Sequence, residues 1–243
     1  MKHSLFVLCF AAVPFLTSCT FNFQREIKGN YIIVHEKIPI DDYDEIVLNV
    51  PADVYYQQIS QDRPFLQLSV DRNVLPGVEV SVENHRLTIT RKNDSLLTPS
   101  RFRIYTNSRN LSKVSVAGSG DFYMEREVNA GSMEIHVSGS GDVKADSLYC
   151  EKIRVTLSGA GDAEISGAAT DAEFHVSGAG DIRAFDFLAN TLDCSVSGAG
   201  DIRAFAYERL NISVSGAGDV EYKGNPASVT QHLSGAGNIR KVE

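Results

Sequence analysis

The second half of the chain alternates apolar and polar residues in short runs, and each run ends at a glycine-rich motif. The run Val155-Thr156-Leu157-Ser158 leads into Gly159-Ala160-Gly161-Asp162, and seven such copies follow residue 113. Alternation with a period of two is the pattern of a strand with one buried face. We call each glycine motif a corner; its closing Asp or Asn recurs every 18 to 21 residues. Strands and corners at this period predict a stacked repeat fold.

Aligned on the corners, the copies form columns of residues with the same character. Two inward columns precede the corner: Val116, Val137, Leu157, Val176, Val196, Val214, Leu233 and Val114, Ile135, Val155, Phe174, Cys194, Ile212. An outward column runs between them: Ser115, His136, Thr156, His175, Ser195, Ser213, His232. A third apolar column follows the corner: Phe122, Val143, Ala163, Ile182, Ile202, Val220, Ile239. Beside it lies the outward column Tyr123, Lys144, Glu164, Arg183, Arg203, Glu221, Arg240.

One repeat of about 20 residues cannot bury its apolar face alone, so neighbouring copies must stack to complete a core. The sequence therefore predicts an all-β fold, a parallel β-solenoid of about seven coils at residues 114–243. Residues one repeat apart are predicted to lie directly over each other. A right-handed coil is expected, because parallel crossover connections overwhelmingly take that hand.

The first half of the chain lacks the glycine motif but contains strand patterns separated by turn residues. Residues 31–113 are predicted to form a β-rich N-terminal half, and residues 31–243 one continuous domain. The predicted strands are Glu45–Val50, Asp53–Tyr56, Phe65–Val70, Val78–Val82, Arg86–Thr90 and Arg101–Tyr105.

The N-terminus has the layout of a secretory signal peptide. Lys2 is followed by an apolar run from Leu5 to Leu16 that is too short to span a bilayer as a permanent helix. The run closes on Leu16-Thr17-Ser18-Cys19, which resembles the lipobox of bacterial lipoproteins. Residues 1–18 are predicted to be removed, Cys19 to be lipidated and residues 19–30 to be a tether. This places the protein in the cell envelope, attached to the membrane by a lipid.

Charge and cysteine content narrow the classes of partner. The net charge of -8 argues against nucleic acid as a partner. Beyond the N-terminal segment the only cysteines are Cys150 and Cys194, which cannot form a disulfide framework. Cys194 occupies an inward column and is expected to be a buried thiol, and a bridge to Cys150 would be strained.

The lipobox, the β-rich first half and the Gly-Ser-Gly or Gly-Ala-Gly corners resemble the family known as putative auto-transporter adhesin, head GIN domain. The resemblance covers roughly residues 40–240 and includes the closing Gly237-Asn238-Ile239. It implies a β-solenoid-like fold and a cell-surface role. The chain shows no sequence resembling the membrane β-barrel of a true autotransporter, and a lipid anchor would replace it.

The corners are the first candidates for chemistry. Their acidic column consists of Asp121, Asp142, Asp162, Asp181, Asp201, Asp219 and, at the end, Asn238. Stacked carboxylates repel, so either backbone N–H groups or bound cations such as calcium must offset the charge. The corner glycines are expected to supply positive φ. They are Gly118, Gly120, Gly139, Gly141, Gly159, Gly161, Gly178, Gly180, Gly198, Gly200, Gly216, Gly218, Gly235 and Gly237.

No catalytic motif is found in the sequence. His136, His175 and His232 share an outward column but lie too far apart to share a zinc ion. The enzymatic alternative is a polysaccharide lyase or hydrolase using Glu164 or Glu221.

The predicted function is therefore a non-enzymatic envelope lipoprotein, an adhesin-like or structural module that needs no cofactor and has no metal site. Its repetitive face would bind a glycan or a protein, and its open C-terminal end would favour association with a second copy. The alternatives are a calcium-stabilised repeat and a solenoid enzyme.

Overall fold

The structure, a computed structural model, describes residues 26–60 and 63–243. The predicted signal peptide and Cys19 lie outside the described residues. In the N-terminal half, two short 3₁₀ helices occur at Leu75–Gly77 and Lys92–Asp94. The strands there are β1 (Glu26–Lys28), β2 (Ile33–Pro39), β3 (Glu45–Leu48), β4 (Asp53–Gln58), β5 (Phe65–Asp71), β6 (Val78–Glu83), β7 (Arg86–Arg91), β8 (Leu96–Thr98) and β9 (Phe102–Ser108).

The C-terminal half consists of strands joined by the glycine corners. They are β10 (Lys113–Val116), β11 (Phe122–Met124), β12 (Val128–Val137), β13 (Val143–Leu157), β14 (Ala163–Val176), β15 (Ile182–Val196), β16 (Ile202–Val214), β17 (Val220–Lys223), β18 (Ser228–Leu233) and β19 (Ile239–Lys241). Within the described part of the chain, no helix has the length and apolar character needed to cross a bilayer.

These strands stack in parallel as a β-solenoid, which confirms the predicted fold class. The solenoid has about six turns, one fewer than the seven coils predicted.

The register confirms the predicted columns, but Leu233, the last member of an inward column, is 49% exposed and not buried. Val137, Leu157, Val176 and Val196 pair in sequence across β12 to β15. Each of these four side chains is at most 1% exposed. Fully burying one Val or Leu stabilises a fold by about 1.5–3 kcal/mol, so each added turn contributes several such increments. The repeat therefore fixes the core and points the intervening polar residues at solvent.

The corner glycines are explained by close stacking of the backbone, and the prediction that they take positive φ is wrong. Among the described residues, the only glycines with positive φ are Gly167 and Gly224, which lie outside the corners. A Cβ built on Gly178 would overlap the carbonyl oxygen of Gly159, one turn below. The same overlap recurs from corner to corner, so at the two glycine positions of each corner the neighbouring turns lie too close for a side chain to fit.

The N-terminal half joins the solenoid in an order that differs from the chain order. β3 pairs in parallel with β7 on one side and with β10 on the other. In the same way β4 lies between β9 and β11. The turn of β3 and β4, which comes first in the chain, therefore lies inside the stack, between the turn of β7 and β9 and the turn of β10 and β11. The end of the stack is closed by antiparallel pairing of β2 with β5, β5 with β9, and β6 with β7.

All six strands predicted in this half are present, and three more occur. β2 covers β5, and β1 pairs in parallel with β8. Because β1 begins at Glu26, β structure starts within the segment predicted as a tether.

One buried carboxylate holds the N-terminal half together. Asp71 is fully buried at the end of β5. It accepts hydrogen bonds from the backbone N–H of Tyr31 (2.7 Å), Ser100 (2.7 Å) and Arg101 (3.2 Å) and from the Ser100 hydroxyl (2.7 Å). Burial raises the pKa of Asp71, but these hydrogen bonds outweigh it and hold the pKa below its ordinary value. Asp71 thus joins three distant segments.

Candidate functional site

The corner aspartates form a hydrogen-bonded ladder between turns. The Oδ1 atom of each aspartate from Asp121 to Asp219 accepts the backbone N–H of the corresponding residue in the next turn, at 2.7–2.9 Å. At its start Asp53 Oδ1 accepts the Asp121 N–H at 3.5 Å. The predicted residues are therefore brought together, with Asp53 added to the column.

These donors offset the repulsion between stacked carboxylates. Two unit charges about 4.8 Å apart repel by about 0.9 kcal/mol in water, and a hydrogen bond to a charged acceptor contributes about 1.5–3 kcal/mol. The donor comes from the next turn, whereas an Asx-turn would use the same corner. The final residue, Asn238, donates both its backbone N–H (2.7 Å) and its side-chain amide (3.1 Å) to Asp219 Oδ1.

The second carboxylate oxygen of several corner aspartates is bound by a side chain. Arg183 donates to Asp162 Oδ2 at 2.7 Å and to Asp181 Oδ2 at 3.1 Å. The hydrogen bond that Arg183 donates to Asp162 raises the pKa of Arg183. The Tyr123 hydroxyl donates to Asp121 Oδ2 at 2.9 Å. Within residues 26–60 and 63–243, no group of three or more His, Cys, Asp or Glu could hold a metal ion.

Asp162 provides a test of the ladder. Replacing Asp162 with alanine should lower the free energy of unfolding by about 1–3 kcal/mol, because the Asp181 N–H and Arg183 both lose an acceptor. Asp162→Asn retains an oxygen for the N–H and should cost clearly less. Urea denaturation of both variants measures the difference. Equal losses would mean that the carboxylate charge, and not the inter-turn hydrogen bond, carries the effect.

The outward column beside the ladder extends further than the sequence indicated. The register adds Tyr105 and Tyr55 ahead of Tyr123. The Tyr55 ring stacks on Tyr105 and on Tyr123, with ring centroids 5.1 Å apart in both pairs. Burial and the hydrogen bond to Asp121 raise the pKa of Tyr123 to about 12. Alignment of Asp53-Val54-Tyr55 with Asp121-Phe122-Tyr123 is the signal that could have revealed this extension.

The charged side chains of the outward column beside the ladder form ion pairs. Lys144 Nζ lies 3.2 Å from Glu164 Oε1, and Arg203 Nε lies 3.3 Å from Glu221 Oε2. Arg240 also contacts Glu221, and its hydrogen bond lowers the pKa of that carboxyl. Glu164 and Glu221 are three turns apart, about 14 Å at the usual spacing of strands. Glycosidase carboxylates lie about 5–9.5 Å apart, so these two do not form such a pair.

The remaining candidates are dispersed. The register places Thr156 between His136 and His175, which are therefore two turns apart. Cys150 and Cys194 are both free thiols. Burial raises the pKa of Cys194, which lies in the core, and raises that of half-buried Cys150 to about 11. Both thiols are therefore neutral at physiological pH.

A third face of the solenoid, which carries Tyr149, Leu188 and Tyr207, is not predicted from the sequence. β-bulges shift the register there, after Ala145 and Glu164, so a constant repeat does not align its residues. It carries exposed apolar side chains: Tyr149 (44% exposed), Leu188 (38%) and Tyr207 (50%). Beside Tyr149 lies an open cleft of about 680 Å³.

With this geometry in place, comparison with known proteins identifies the family. The family described as "Putative auto-transporter adhesin, head GIN domain" matches residues 42–226. The chain belongs to this family. The resemblance of the glycine corners to the head GIN family is thus confirmed over residues 42–226, and the description of that family names an adhesin and no enzymatic activity. Membership indicates a surface or envelope protein. No match is found among functionally curated proteins.

Solved structures share the fold. A putative adhesin from Bacteroides fragilis is 27% identical, with a TM-score of 0.86 over 89% of this chain and 100% of that one. A putative lipid binding protein from Parabacteroides distasonis is 29% identical, with a TM-score of 0.77 over 90% of this chain and 100% of that one. A putative adhesin from the same organism is 28% identical, with a TM-score of 0.74 over 89% of this chain and 100% of that one.

Proposed function

We propose that this protein is a non-enzymatic, lipid-anchored adhesin-like module of the cell envelope, and that it binds a glycan or a protein through its repetitive outer surface. The observation that carries the proposal is the set of continuous outward columns. On one face the column from Ser115 to His232 repeats a short polar side chain or a histidine in seven successive strands. Such a surface repeats at the spacing of its strands, about 4.8 Å, and suits an extended ligand.

The chemistry of the ladder supports binding over catalysis or cation storage. One oxygen of each corner carboxylate already accepts a backbone N–H, and Arg183 takes the second oxygen of two of them. Glu164 and Glu221 form ion pairs with the side chains of Lys144 and Arg203, and not with each other. These side chains stiffen the scaffold, which leaves the other outward residues to meet a ligand.

The anchor rests on the Leu16-Thr17-Ser18-Cys19 motif and on the position of the folded body. β1 begins at Glu26, a few residues after Cys19. A short connection would hold the body close to the membrane, and the acyl chains on Cys19 would supply the attachment.

The experiment is a binding screen of the purified full-length protein in mild detergent against arrays of glycans and extracellular matrix proteins. We expect saturable binding to a restricted set of ligands that survives Asp→Asn changes at Asp142 and Asp201. Degradation of a polysaccharide in the same screen would contradict the proposal, and so would the absence of binding to every glycan and protein presented.

A further inference from the structure

The cleft beside Tyr149 arises from the way the N-terminal half joins the solenoid. β10 pairs with β12 only over Glu134–Val137, so residues 128–132 of β12 have no β10 partner beside them. On its other side the same stretch pairs with β13. Ala130–Ser132 therefore lie on one side of the cleft, and Asn110–Ser112, in the segment between β9 and β10, lie on the other.

The lining combines one aromatic ring with amides and hydroxyls. Tyr149 is 44% exposed at the cleft. The polar side chains around it are those of Asn110, Ser112, Asn129 and Ser132. Glu151 is the one charged side chain of the lining, and the Cys150 thiol is neutral because burial raises its pKa to about 11. The cleft thus offers an apolar surface and several hydrogen-bonding groups, and none of its lining residues is basic.

This chemistry matches a neutral sugar better than the other ligand classes. The C–H face of a pyranose can pack on an aromatic ring while its hydroxyls bind amides and carboxylates. Anionic ligands are disfavoured, because Glu151 lines the cleft and Glu127 accepts a hydrogen bond from the neighbouring Asn129 at 2.8 Å. The volume, about 680 Å³, lies in the range of small-ligand sites.

A longer ligand would find a continuous track beyond the cleft. The register sets Tyr149 beside Ala168, Ala168 beside Leu188, and Leu188 beside Phe205. The Phe205 ring packs edge-on against Tyr207, with centroids 4.8 Å apart. This apolar strip runs along the solenoid axis with a strand spacing of about 4.8 Å per turn. Ala168 leaves the approach to Tyr149 open.

We propose that this cleft binds one neutral saccharide unit of a glycan, with Tyr149 as the stacking platform and with the chain of the glycan extending along the strip towards Phe205. The proposal rests on the proposed function and names its ligand class and its site.

The absence of tryptophan from the chain makes a direct test available. In Tyr149→Trp the platform keeps an aromatic ring and becomes the single tryptophan fluorophore. Titration with neutral β-linked oligosaccharides of hexose and N-acetylhexosamine should shift its emission to shorter wavelength in a saturable way. Sialylated oligosaccharides should bind at least tenfold more weakly. Tyr31→Trp, at a side chain that is 84% exposed in the N-terminal half, is the control and should show no shift.

Gly131 provides an occluding variant that leaves the fold intact. A Cβ added at Gly131 meets nothing within 4 Å, and its φ is not positive. Gly131→Gln, introduced into the Tyr149→Trp protein, should place a side chain in the cleft and weaken the binding of neutral oligosaccharides at least tenfold. Unchanged melting of this variant excludes unfolding as the cause.

The outcomes separate the site from the function. Saturable shifts that Gly131→Gln abolishes support the proposal. Glycan array binding that persists in Gly131→Gln, without any shift of the Tyr149→Trp emission, would contradict the cleft as the binding site. The proposed function would still stand. A shift produced by extended peptides and not by sugars would overturn the saccharide assignment. Failure to bind any glycan or protein on the arrays would remove the proposed function as well.

Discussion

Replacing Asp71 with alanine is expected to lower the free energy of unfolding by about 3–5 kcal/mol. The carboxylate is fully buried and accepts from three backbone N–H groups, those of Tyr31, Ser100 and Arg101. Each buried donor left without an acceptor costs about 1–3 kcal/mol, and alanine offers no replacement. Urea denaturation at neutral pH measures the loss. Asp186→Asn, at an exposed aspartate, is the control and should change the stability by less than about 0.5 kcal/mol.

The same residue should make the protein sensitive to acid. Because the pKa of Asp71 in the folded protein lies below its ordinary value, the unfolded chain binds the proton more readily. The stabilisation from the ionised carboxylate is therefore complete above about pH 4 and is lost as the pH falls through the lower folded pKa. Unfolding measured between about pH 2 and 6 should show this loss in the wild type and a smaller one in Asp71→Ala. Parallel curves for the two proteins would contradict the assignment.

Gly178→Ala is expected to lower the free energy of unfolding by about 3 kcal/mol or more. The added methyl group would overlap the carbonyl oxygen of Gly159 and the backbone of Ser158, and a backbone carbonyl cannot swing aside as a flexible side chain can. Two turns would have to separate at the corner, which strains the inter-turn hydrogen bonds on either side. Thermal or urea unfolding followed by circular dichroism measures the effect.

Gly131→Ala is the matched control for this substitution. It also adds one methyl group to a glycine of the solenoid, but nothing lies within 4 Å of the new Cβ. Its stability should stay within about 0.5 kcal/mol of the wild type. Equal destabilisation of both variants would contradict close stacking as the reason for the corner glycines, because a methyl group at Gly131 meets no neighbour.

The sequence predicts the repeat half well because the corners fix its phase. Once each Gly-x-Gly-Asp is aligned, period-two alternation assigns Val155 and Leu157 to the core and Thr156 to the surface, and the register agrees. A shift of one residue would turn every apolar side chain outward, so the phase is strongly determined. The family could be recognised from the same corners.

The first turn and the third face could not be predicted for physical reasons. The corner before Asp53 reads Val50-Pro51-Ala52, without glycine, so the motif that marks the later turns is missing from it. No local pattern indicates that β3 will lie between β7 and β10, since that order depends on distant strands. On the third face, bulges between Glu164 and Gly167 and in neighbouring turns break the constant spacing. The cleft beside Tyr149 follows from both features.

The central claim is that residues one repeat apart lie directly over each other, and disulfide cross-linking tests it most directly. In a protein carrying Cys150→Ser and Cys194→Val, cysteines at Thr156 and His175 occupy paired positions of adjacent strands, about 4.8 Å apart. That pair should oxidise readily to a disulfide. Cysteines at Thr156 and Ser195 are separated by two turns, about 9.6 Å, and should not. Rapid cross-linking of Thr156→Cys with Ser195→Cys, or none with His175→Cys, would contradict the stacked register.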